Sequence, residues 1–105
     1  MARNRRRRPL ARSCIVKIGR RYADSLELLA ITPGTELARG VARTLNLIAR
    51  TDDLPVAGLD ERALLPPTNW MFRRLVTGTI LWLYYDADAT FVRAIAVVRV
   101  VLRLS

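Results

Sequence analysis

The stretch LVTGTILWLYYDADATFVRAIAVVRVVLRL, Leu75–Leu104, is apolar on both sides when read as extended chain. In steps of two, Ile80, Trp82 and Tyr84 fall on one side and Leu81, Leu83 and Tyr85 on the other. This pattern predicts a strand over Thr79–Tyr85 that must be covered on both faces. Another β-prone run, Trp70–Gly78, precedes it. A third, Thr90–Leu104, follows it, is rich in β-branched residues and reads as strand over at least its first half. Between the last two runs Asp86–Ala89 (DADA) is a polar tip, which predicts a hairpin. Parity also divides the last strand. Val92, Ala94, Ala96, Val98, Val100, Leu102 and Leu104 make a wholly apolar face, while Phe91, Arg93, Ile95, Val97, Arg99, Val101 and Arg103 mix arginines with apolar groups. A regular strand would set Arg93 and Arg99 about 20 Å apart on one surface.

Upstream the period changes. Ser13–Gly19 alternates Cys14, Val16 and Ile18 against Ile15 and Lys17, a strand with one better-buried side. Tyr22, Leu26 and Leu29 then lie at helical spacing and predict a short first helix. The run ITPG breaks it, and Thr32 before Pro33 reads as the N-cap of a second helix with proline at its first position. That helix runs to Arg50, with Leu37, Val41, Leu45 and Ile48 on one stripe and Glu36, Arg39, Arg43 and Arg50 opposite. Residues 51–69 hold no sustained period and read as a long connection with room for a turn of helix or a short strand. The order strand, helix, helix, loop, strand, strand, strand predicts an α+β domain over residues 13–105: two N-terminal helices on one face of a small twisted antiparallel sheet. The other face is then left for the chain ends or another molecule.

Charge adds a tail to this picture. Residues 1–12, MARNRRRRPLAR, hold six of the 18 basic residues and no acid, so a chain of formal charge +9 has a body of only +3. The arginine tract has nothing to bury and is expected to be disordered on its own, with Arg5, Arg6, Arg7 and Arg8 available to nucleic acid. There is no histidine, and Cys14 is the only cysteine. Zinc sites of the usual Cys/His type and His-dependent catalytic triads are thereby excluded, and neither metal nor cofactor is expected. The lone thiol fits a cytoplasmic setting. Arg93, Arg99 and Arg103 interrupt the C-terminal run, so no window of about 18 uncharged apolar residues offers a membrane span.

A sheet face bearing guanidiniums and aromatic rings suits a phosphate-rich, base-bearing ligand such as RNA, or an acidic protein segment laid across it. The candidates are Arg73 or Arg74, only one of which can share a given face, together with Arg93, Arg99 and Arg103. Cleaving RNA through the ribose 2′-hydroxyl needs proton transfer as well as phosphate stabilisation. Arginine supplies only the second, which leaves Lys17, Tyr84, Tyr85 and the loop carboxylates for the first.

The element order, and the stretch FRRLVTGTILWLYYDADATFVRAIAV within it, resembles the RelE/ParE superfamily, the toxins of bacterial type II toxin–antitoxin modules. Arg73 or Arg74, Gly78, Tyr84, Asp86–Asp88 and Val92–Val98 stand where that family has a basic strand end, a glycine, a tyrosine, an acidic hairpin tip and a valine-rich strand. The resemblance covers roughly residues 13–100 and implies a toxin-like domain neutralised by an antitoxin segment on the sheet face or edge. It implies a target such as the ribosome and its message, or DNA gyrase. As a metal-independent endoribonuclease the domain would use Arg73, Arg74 and Arg99 around the phosphate and Tyr84 or Tyr85 for proton transfer. Ile80 and Leu81 stand where the family commonly carries an arginine, which favours action by binding. Two other readings stay open: a nucleic-acid-binding module gripping through its N-terminal arginines, and a homodimer paired through the hairpin.

Overall fold

The computed structural model describes residues 15–66 and 70–100. Seven elements follow one another: β1 (Ile15–Ile18), α1 (Arg20–Leu28), α2 (Glu36–Ala49), β2 (Asp60–Leu64), β3 (Trp70–Leu75), β4 (Leu81–Ala87) and β5 (Phe91–Arg99). The strands form one sheet in the order β1-β5-β4-β3-β2, antiparallel throughout except that β1 runs parallel to β5. The class is α+β, as expected, but the sheet is mixed and has five strands. The extra one, β2, arises in the stretch read as connection. Its sequence DERAL carries no alternating apolar face, because its charged side chains are matched across to Arg73 and Arg74 on β3. Residues 1–12, Cys14 and Arg103 lie outside the described residues.

Both helices pack on one face. Tyr22 of α1 and Val41, Leu45 and Ile48 of α2 form a core with Leu81, Leu83 and Tyr85 of β4 and Val92, Ala94 and Val97 of β5. Leu26 and Leu29 flank it, so both predicted stripes face the sheet, although Leu37 stays exposed at the start of α2. Helix α1 ends with Ala30 at φ 57°, its N–H bonded to the Glu27 carbonyl and that of Ile31 to the Leu26 carbonyl. This is a Schellman close, sealed by the burial of Ile31. The helix α2 cap differs from expectation. Thr32–Thr35 is a turn with Gly34 at φ 87°, where a side chain would be strained, and Thr35 caps the helix by accepting from the Ala38 N–H at 3.2 Å. Pro33 followed by Gly34 favours the turn over a helix starting at Pro33.

The register of β4 on β5 shifts midway. Tyr84 lies opposite Ala96 while Tyr85 lies opposite Ala94, so Ile95 is an extra residue in β5. Beyond this bulge the alternation is inverted. Val97 and Arg99 now stand opposite Leu83 and Leu81 on the helix side, and Ala96 and Val98 stand opposite Tyr84 and Trp82 on the other. The reading that joined Phe91, Arg93, Val97 and Arg99 on one face therefore fails, and Arg93 and Arg99 lie on opposite faces. The bulge also docks α1: the Val97 N–H donates to Ser25 Oγ at 2.9 Å, and that hydroxyl donates to the Tyr22 carbonyl at 2.7 Å. Among the described residues no helix is long and apolar enough to cross a membrane.

Candidate functional site

Parity separates the two adjacent arginines of β3. Arg74 shares the helix side with Phe72 and meets Asp60 across the hairpin in a two-pronged pair, Nε to Oδ1 and Nη2 to Oδ2, both at 2.6 Å. The Asp60 side chain is fully buried and its Oδ2 also accepts the Val56 N–H at 2.7 Å, so the pair ties the preceding connection to the sheet. The bonds to Asp60 hold the Arg74 pKa above its ordinary value, outweighing burial, with attraction to Asp60 and Tyr85 adding to them. Arg74 is thus a structural cation.

Arg73 stands on the helix-free face, opposite Tyr84 on one neighbour and Glu61 on the other. Its guanidinium lies 4.1 Å from the centre of the Trp82 ring and 5.9 Å from that of Tyr84. Nη1 donates to the Tyr84 hydroxyl at 3.1 Å, and Nε donates to Glu61 Oε1 at 2.6 Å; Nη2 reaches the same oxygen. Burial draws the Arg73 pKa down, but the bonds to Tyr84 and Glu61 carry it above the ordinary value. The cation is permanent, stacked and still partly open to solvent, with its side chain 28% exposed.

A second basic group occupies the other end of this face. Lys17 Nζ sits 4.0 Å from the Phe91 ring centre and the Arg93 guanidinium 5.1 Å from it, so two cations share one ring. Arg93 also faces Asp86 at 3.8 Å, both half exposed. The register Lys17↔Arg93 and Asp86↔Arg93 places the group on the Tyr84 side. From Arg73 on β3 to Lys17 on β1 is three inter-strand steps of about 4.8 Å each, plus an offset along the strands. Between Arg73 and this second group lie Tyr84 and Ala96, both buried, while Trp82 and Val98 lie on the far side of Arg73. The hairpin tip is ordered by Asp88, whose Oδ1 accepts from the N–H groups of Thr90 and Phe91 and the Thr90 hydroxyl. The Thr90 N–H chiefly, helped by Phe91, holds that carboxyl below its ordinary range despite some desolvation.

Of the residues singled out from sequence, Arg73, Tyr84 and Arg93 share the helix-free face. Arg74 and Arg99 do not. Arg99 stands at the helix-side end of β5, beside a groove of about 310 Å³ lined also by Arg21, Ser25 and Leu28 of α1. Arg5, Arg6, Arg7, Arg8 and Arg103 lie outside the described residues. Sequence reasoning missed Glu61, Asp60 and the stacking role of Trp82. One signal was present: Asp60-Glu61 and Arg73-Arg74 are complementary charge pairs that an antiparallel hairpin would align.

The face offers a guanidinium fork stacked on Trp82 and two further cations beside Phe91, groups of the kinds that can pair with a phosphate and stack on a base. For proton transfer it presents the Tyr84 phenol beside the Arg73 guanidinium, together with the Glu61 and Asp86 carboxylates and the Lys17 ammonium, each engaged with a cation or a ring. Among the described residues no cluster of three or more histidine, cysteine, aspartate or glutamate side chains could hold a metal ion. No protein-family model, no curated protein and no solved structure matches this chain.

Proposed function

We propose that the chain is a toxin-like domain of RelE/ParE kind that acts by binding single-stranded RNA of the translation machinery across its helix-free sheet face. An antitoxin segment with acidic and apolar side chains would neutralise it by covering the same face. The observation that carries this reading is the Arg73 guanidinium stacked on Trp82 and bonded to the Tyr84 hydroxyl, on the one sheet face that neither helix covers. A permanently charged fork beside an aromatic ring matches the two repeating features of a single strand, phosphate and base. Binding is favoured over cutting because Arg74 is sequestered with Asp60 and Arg99 lies on the opposite face, so the phosphate would meet one guanidinium at Arg73.

The test is induced expression in a bacterial host, with protein synthesis followed by pulse labelling. The wild-type chain is expected to depress labelling sharply, and Arg73→Ala at equal abundance to restore most of it. Undiminished labelling by the wild-type chain overturns the proposal.

A further inference from the structure

Two acidic neighbours on β2 meet two basic neighbours on β3, yet the two ion pairs are built differently. Asp60 uses both oxygens on Arg74, accepts a third bond from the backbone, and has no exposed side-chain surface. Glu61 presents Oε1 alone to Arg73, takes no backbone donor among the described residues, and leaves half its side chain in solvent. It also stands on β2, an edge strand of the sheet. Arg73 does not rely on Glu61 for its pose, since the Trp82 ring and the Tyr84 hydroxyl hold it from other directions. Removing the carboxylate would therefore leave a preorganised guanidinium.

We infer that the Arg73 fork is an anion subsite whose resident occupant is the chain's own Glu61, and that a phosphate of the incoming strand binds by displacing that carboxylate. This rests on the RNA-binding reading above. The exchange is chemically reasonable. A phosphodiester offers two oxygens to the guanidinium edge where Glu61 offers one, and a solvated ion pair holds its partners weakly. Glu61 then sets the threshold of the subsite. Isolated carboxylates and dilute phosphate fail to open it, whereas a strand also held by Lys17, Arg93 and the rings succeeds.

The experiment has two arms, each run with the full chain carrying Trp70→Phe so that Trp82 is the remaining tryptophan. In the first arm inorganic phosphate is titrated against Trp82 fluorescence. Glu61→Gln is expected to tighten phosphate binding roughly two- to fivefold, the range an exposed ion pair can withhold. In an Arg73→Ala background the same change should do nothing, because the competitor acts only through that guanidinium. Glu27→Gln on α1 removes an equal charge at a distance and should leave the titration unmoved. Glu61→Ala, tested beside Glu61→Gln, guards against an effect of the new amide. Unchanged or weakened phosphate binding in both Glu61 variants overturns the inference, as does equal tightening with Arg73 absent. In the second arm a short single-stranded oligoribonucleotide replaces phosphate. If the phosphate arm behaves as expected while the oligonucleotide fails to bind any variant, the subsite stands and the RNA reading falls.

Discussion

Arg73 and Arg74 are chemically identical and adjacent, and one step of strand parity gives them different work. Arg74 turns inward and is neutralised by a carboxylate with no access to water. Burying such a pair gains little net stability over an apolar pair, but breaking it strands an uncompensated charge. Asp60→Ala is therefore expected to cost about 3–5 kcal/mol in urea unfolding, and to loosen the connection anchored through Val56. Glu61→Gln, at the exposed pair next door, should lower the same unfolding free energy by no more than about 1 kcal/mol. Similar losses from the two substitutions would mean that burial does not distinguish them, and the division of labour drawn here would fail. Both arginines stay charged at any ordinary pH, so neither contributes a titration to stability in that range.

At the scale of elements, long periodic segments were legible. Tyr22, Leu26 and Leu29, and then Val41, Leu45 and Ile48, announced the two helices and their buried sides, because a helix docked on a sheet repeats its apolar positions every three to four residues. The strands of the last hairpin were legible for the same reason at period two, although β4 runs on through Asp86 and Ala87, half of the DADA run read as the tip. Strand β2 was concealed because its pairing is set by charges that mean nothing until Arg73 and Arg74 stand opposite. The bulge at Ile95 was invisible because an extra residue changes no composition and reverses every parity after it. That is why Arg99 was assigned to the wrong face and the candidate site was only partly readable. The bulge also yields a prediction. Ser25 Oγ satisfies the Val97 N–H beneath α1, and Val97 itself is buried. Ser25→Ala removes that acceptor and should cost about 1–3 kcal/mol. Hydrogen exchange at the Val97 amide should accelerate more than at Val92, outside the bulge. Uniform protection in the variant would show that the serine does not pin the helix to the sheet.

For the whole molecule the proposed RNA binding leaves one question: whether the sheet or the arginine-rich residues 1–12 would grip the polyanion. The helix-free face offers Lys17, Arg73 and Arg93, partly offset by Glu61 and Asp86. Three phosphate contacts on a single strand give a log–log salt slope of about −2, at about −0.7 per contact. Contacts from the N-terminal arginines would be of the same sequence-independent kind, so on this proposal the full chain should bind an oligoribonucleotide more tightly and with a steeper slope. Deleting residues 1–12 is expected to weaken binding and bring the slope back to about −2. Arg73→Ala in the truncated chain should lower it by about one further contact, and Trp82→Ala should weaken affinity without altering the slope, because stacking releases no counterions. A truncated chain that no longer binds would assign the grip to the arginine tract and reduce the sheet to a scaffold. A truncated chain that binds but ignores Arg73→Ala would move the site off this face.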